Sequence, residues 1–168
     1  MSKVVEKWGA IDILVNNASA INVSDTETME MKIYDLMMSI NTRGTYLMSK
    51  TCLPYLKKAK NPHILTISPP YYCLYPMSAR DRKVNWFRFS VAYTFAKVGM
   101  TLCAYGMAEE FQEYGVAVNT LWPRTTVATA AIKYVLGGDD QMKRSRKPEI
   151  MGDAAYVILT SDSQKTTG

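Results

Sequence analysis

The chain has 168 residues, 48% of them hydrophobic and 21% charged, which suits one domain with a single core and argues against wholesale disorder. Its net charge of +5 would suit nucleic acid or an anionic membrane, yet no nucleic-acid-binding signature and no apolar run of membrane-spanning length accompanies it. Three widely spaced cysteines (Cys52, Cys73 and Cys103) and a single histidine, His63, argue against a disulfide framework, a metal centre and a histidine-based triad.

Residues 2–8 read as the last turns of a helix ended by Gly9. The stretch is mixed in charge and has no signal-peptide apolar block, so the glycosylation patterns at Asn17 and Asn22 are formal matches and a reducing compartment is expected. Ile11-Asp12-Ile13-Leu14-Val15 reads as a buried parallel strand running into Asn16-Asn17-Ala18-Ser19. A polar loop over 20–28 precedes helical spacing from Thr28 to Met38. Asn41-Thr42-Arg43-Gly44 then opens a longer helix that ends in Lys57, Lys58 and Lys60, basic residues suited to a helix C-terminus.

Pro62 precedes a second buried strand, His63 to Ile67, ended by Ser68-Pro69-Pro70. Residues 71–89 form a long aromatic and basic loop, of the kind used as a lid, a contact surface or plain packing. Ser90 is the expected N-cap of a central helix running to about Tyr114. That helix carries no charge between Lys97 and Glu109, so burial on most sides is expected, with Gly99 and Gly106 permitting close approach. Gly115 ends it. A third strand, Val116 to Leu121, leads into Trp122-Pro123. A helix is expected around 127–136, stopped by Gly137-Gly138, and a last one from Pro148 to about Leu159. Lys143, Arg144, Arg146 and Lys147 read as a solvated loop, with a phosphate-contacting role as the alternative. The alternation of helix and strand predicts parallel βαβ units in a layered α/β sheet.

Within the central helix, Tyr93 and Lys97 lie four residues apart and leave the same helical face. A phenol titrates near pH 10, so it needs help to exchange protons at neutral pH, and a nearby ammonium would lower its pKa. Tyr46 and Lys50 share the spacing and read as a structural pair. Their surroundings distinguish the two pairs.

Taken in order, these pieces resemble the short-chain dehydrogenase/reductase family. Asn16-Asn17-Ala18-Ser19 is similar to its Asn-Asn-Ala-Gly motif, with serine in place of glycine. Asn41 matches the asparagine of its catalytic tetrad, and Tyr93 and Lys97 match its Tyr-x-x-x-Lys signature. Ser68 lies at the strand end that carries the family's catalytic serine, next to Pro69, which holds the position many members give to that residue. Asn119 and Pro123 match its Asn-x-x-x-Pro-Gly segment, with Arg124 replacing the glycine. Ser68-Pro69-Pro70 and Leu121-Trp122-Pro123 point to a subgroup associated with peroxisomes and mitochondria.

The resemblance implies a three-layer Rossmann-like parallel sheet whose first βαβαβ half and last strand lie outside this chain. It implies an NADP- or NAD-dependent oxidoreductase acting on a carbonyl/alcohol pair, with a small, lipid-like substrate; a homo-oligomeric assembly is expected separately, from the exposed strand Ile11 to Val15. Tyr93, Lys97, Asn41 and Ser68 would be catalytic. Asn17, Ala18, Pro123 and Thr125, with Tyr93 and Lys97, would bind the cofactor, and no metal is implied. No Gly-rich turn between a strand and a helix is present to receive a pyrophosphate. The strand Ile11 to Val15 would form an apolar edge that promotes association. The alternative is a catalytically silent relative that keeps the fold for association through the apolar helices around 45–57 and 90–111.

Overall fold

Short apolar runs bounded by Gly, Pro and Asn become the strands β1 (Ile13–Asn16), β2 (His63–Ile67) and β3 (Ala117–Leu121). The computed structural model describes residues 2–69 and 90–168. Its three strands form a parallel sheet in the order β1-β2-β3, with Leu14 paired to Ile64 and Ile64 to Val118. Parallel strands need long crossovers, and helices supply them. The helices are α1 (Ser2–Trp8), α2 (Met31–Met38), α3 (Gly44–Leu56), α4 (Val91–Phe111), α5 (Gly138–Arg144) and α6 (Glu149–Thr160). The expected loop at 71–89, with Pro70, lies outside the described residues.

Side chains alternate across a strand, so the register decides what each layer buries. Leu14, Ile64 and Val118 point to one face, against Cys52 and Leu56 of α3 and Ala104, Met107, Ala108 and Phe111 of α4. Fully burying one of the larger of these side chains contributes about 1.5–3 kcal/mol. His63 and Asn119 lie on the opposite face, where His63 Nε2 donates to Ser161 O at 3.0 Å and Asn119 Nδ2 to Thr166 O at 2.7 Å. The segment ending α6 thus closes the third layer over β2 and β3. The last residues also line the outer edge of β3: Val118 N–H donates to Thr167 Oγ1 at 3.0 Å, and Gly168 N–H to Val118 O at 3.2 Å.

Several expectations change in detail. Strand β1 starts at Ile13 and takes in Asn16. It was expected to be covered on both faces, but Ile13 is 44% and Val15 46% exposed, because α6 covers only the other two strands. Strand β1 is also an edge strand among the described residues, as expected. Helix α4 is not buried on most sides either: Phe95, Leu102 and Tyr105 face outward. At Gly99 the expected close approach occurs, since a Cβ there would meet Thr42 Oγ1 at 2.5 Å, whereas Gly106 has nothing nearby. The helix expected around 127–136 is mainly the π-helical stretch Ile132–Leu136, followed by the unforeseen α5. Lys143 and Arg144 sit in the last turn of α5 rather than in a loop, and are exposed there.

Candidate active site

In a parallel sheet the carboxyl ends of the strands share one side, and here they gather the candidate residues. Ser90 caps α4, its Oγ accepting from Tyr93 N–H at 3.2 Å, so the cap itself fixes where the tyrosine begins the helix. The Ser90 hydroxyl also donates to Asn22 O at 2.9 Å, tying the cap to the loop after β1. One turn further on, Lys97 is 3% exposed and its Nζ donates to Ile67 O, the last carbonyl of β2, at 2.6 Å. That bond draws the start of α4 to the strand end.

Burial sets the electrostatics. It pushes the Lys97 ammonium down to about 8, and it pushes the Tyr93 phenol above its ordinary value. A hydrogen bond with the Ser19 side chain opposes the second shift in part. The expectation that Lys97 lowers the Tyr93 pKa is not met: burial outweighs every other influence on the phenol, and the ammonium is committed to a backbone carbonyl.

Asn41 lies in the π-helical stretch Ser39–Arg43 between α2 and α3, a helix irregularity often found at functional sites. It is fully buried, and its amide clamps one residue from both sides. Oδ1 accepts from Ala20 N–H at 2.8 Å, and Nδ2 donates to Ala20 O at 3.0 Å. Ala20 follows Ser19, so Asn41 holds the loop whose hydroxyl meets Tyr93. Thr42, beside it, donates to Ala96 O at 2.9 Å and fastens the same stretch to α4 just before Lys97.

Tyr93, Pro123 and Thr125 line one cavity of about 680 Å³, together with Arg124 and an apolar wall that includes Ile132, Val135 and Leu136. Asn17 and Ala18 are exposed at the end of β1, outside that lining. Ser68 is fully buried, does not line the cavity, and its Oγ has no hydrogen-bond partner among the described residues. Tyr46, the other member of a Tyr–Lys spacing, is exposed on α3. The sequence reading missed two contributors, Ser19 and Arg124. Both were visible as departures from a motif, but nothing in their spacing indicated a role.

The donor set suits the nicotinamide end of a dinucleotide. A buried ammonium has donors left after its one carbonyl bond, a half-buried phenol lies one helical turn away, and Pro123 and Thr125 border the space beside them.

The chain matches the short chain dehydrogenase family over residues 1–136. It is 54% identical over 166 residues to hydroxysteroid dehydrogenase-like protein 2 of Xenopus laevis, covering 99% of this chain and 37% of that protein. The chain therefore spans little more than a third of that relative. Among solved structures, a short chain dehydrogenase of Mycobacterium thermoresistibile is 53% identical with a TM-score of 0.82, covering 98% of this chain and 55% of that one. A metagenomic short-chain oxidoreductase in complex with NADP is 22% identical with a TM-score of 0.73, covering 99% of this chain and 63% of that one, and shares the fold.

Proposed function

The chain belongs to the short chain dehydrogenase family, and from that premise we propose that it carries the acid–base part of an NAD(P)-dependent oxidoreductase site for a carbonyl/alcohol pair. The observation that carries this reading is Tyr93 on the wall of a largely apolar cavity, one helical turn from a buried lysine whose pKa stands at about 8. Bound nicotinamide would supply or accept the hydride. Tyr93 holds the proton exchanged with the substrate oxygen. Its raised pKa keeps the phenol in the protonated form that reduction of a carbonyl requires, while making it a weaker acid that depends on bound substrate and cofactor for the transfer. Lys97 stays mostly charged below about pH 8 and would offer its remaining donors to the ribose of a bound nicotinamide nucleotide.

Asn41 acts as a positioning residue, holding the Ser19 loop against Tyr93. Ser68 is retained as a catalytic candidate by its place at the end of β2, and Asn17 and Ala18 as cofactor contacts by theirs at the end of β1. The apolar wall favours a lipid-like substrate. A homo-oligomer is supported by the outward Phe95, Leu102 and Tyr105 of α4 and the uncovered Ile13 and Val15, and no helix among the described residues is long and apolar enough to cross a membrane. The peroxisomal or mitochondrial setting rests on resemblance to the subgroup alone. The same exposed faces favour the second reading, a catalytically silent relative that works by association.

Cofactor binding separates the two. Titrating the chain into NADPH or NADH should give a saturable rise in nicotinamide fluorescence, and Lys97→Met should weaken binding by about tenfold or more through loss of charged hydrogen bonds. No binding at millimolar cofactor would favour the silent relative for this chain.

A further inference from the structure

The cavity beside Tyr93 has an uneven lining. Apolar side chains and small hydroxyl residues make most of it, and among the described residues that line it Arg124 is the one that is charged. Arg124 is exposed at the mouth of the segment after β3, between Pro123 and Thr125, and has no ion pair or hydrogen bond among the described residues. A guanidinium presents donors in a rigid fork that matches a carboxylate or phosphate, and an apolar surrounding strengthens its field. A purely apolar substrate would gain nothing from it. Burying such a substrate beside Arg124 would instead cost the cation part of its hydration with no counter-charge in return.

We propose that Arg124 makes this cavity selective for apolar carbonyl or alcohol compounds that also carry an anionic group. This rests on the oxidoreductase reading of the Tyr93 wall. The apolar body of the substrate lies along Ile132, Val135 and Leu136, its oxygen reaches Tyr93, and its anionic end pairs with Arg124. Arg124 stands where the Asn-x-x-x-Pro-Gly segment it resembles has glycine, which has no side chain to offer such a pair. It acts on specificity and leaves the proton chemistry to Tyr93.

The test compares two probes that differ only in charge, 3-oxodecanoate and its methyl ester. Trp122 lines the same cavity and adjoins Arg124, so intrinsic fluorescence reports occupancy without turnover. The chain should bind the carboxylate about tenfold more tightly than the ester, the usual scale of a charged hydrogen bond. Arg124→Gln should remove that preference by weakening the carboxylate alone, and Arg124→Lys should keep part of it. Inorganic phosphate at matched ionic strength should compete with the carboxylate and leave the ester unaffected.

Equal affinities in the unmodified chain, or no saturable binding of either probe, would overturn the proposal without any variant. A preference that survives Arg124→Gln would overturn the assignment to this residue. So would a variant that loses NADPH binding while keeping the preference, because Arg124 would then serve the cofactor. Selective binding with no NADPH oxidation would leave the anion site standing and sink the oxidoreductase reading. NADPH-dependent reduction of acid and ester at equal efficiency would do the reverse.

Discussion

Tyr93→Phe lowers NADPH-dependent reduction of an apolar ketone by about 10²–10⁴-fold in kcat, the usual range for removing a positioned proton donor. The ring remains, so the half-buried packing at the start of α4 is kept and the Ser90 cap, which uses the Tyr93 backbone, is untouched. What goes is the hydroxyl, and with it the hydrogen bond to Ser19. The loss in stability should therefore stay near 1 kcal/mol, the value of one ordinary hydrogen bond. Cofactor affinity should fall far less than turnover. Steady-state kinetics beside a nicotinamide fluorescence titration separates these effects. A loss of turnover below about tenfold would remove Tyr93 from the proton-transfer step.

Lys97→Met should make the protein inactive and more stable. Folding carries the Lys97 pKa from 10.5 down to about 8. At about 1.4 kcal/mol per pKa unit, keeping the ammonium charged inside costs about 3 kcal/mol at neutral pH. Methionine fills a similar volume without the charge but forfeits the bond to Ile67 O, worth about 1 kcal/mol. The net gain is about 2 kcal/mol, or about 4–8 °C in Tm for a chain of this size.

The sign fixes the pH window. Between pH 8 and 10.5 the unfolded chain binds more protons than the folded one, so wild-type stability rises with pH across that interval. The advantage of the variant is full below about pH 8, falls as the pH rises, and reverses by about pH 10.5, where the lost bond to Ile67 O outweighs what remains of the burial cost. Denaturant melts at pH 7 and pH 10.5 measure it. A variant less stable at pH 7 would mean that the ammonium contributes more to the fold than its burial costs. A site that spends stability on a buried charge fits function better than architecture.

The residues differed in how openly they declared this arrangement. Ser90, Gly9 and Gly115 announce the ends of helices through local chemistry, a side-chain cap in the first case and positive φ in the glycines, and all three hold. Tyr93 and Lys97 were legible as a pair because helix geometry alone puts them on one face. Their protonation behaviour was not, because it comes from burial under elements distant in sequence. The stretch Asn41-Thr42-Arg43-Gly44 is readable as the lead into a longer helix. That Asn41 to Arg43 belong to a π-helical stretch, Ser39–Arg43, which keeps α2 and α3 continuous, is not readable, because its widened spacing departs from period 3.6.

Faces were harder still. The uncharged run of α4 implied burial, yet Leu102 and Tyr105 lie outside, because the sequence states which side chains are apolar and not what covers them. Ser68 shows the converse. Its place at a strand end is readable, but its complete burial depends on what packs over that end. Ser19 and Arg124 could be seen only as departures from a motif, and three dimensions were needed to bring one to Tyr93 and the other to the cavity wall.

The most direct measurement follows the hydride and the proton together. The chain is mixed with NADPH carrying deuterium at the transferable position and an apolar ketone acid, and the product is analysed by mass spectrometry. Tyr93 and Lys97 as the acid–base pair of a nicotinamide-dependent site predict an alcohol with one deuterium on the carbinol carbon, strongly reduced with Tyr93→Phe. Bound NADPH without any labelled alcohol, or the same yield from Tyr93→Phe, would contradict it.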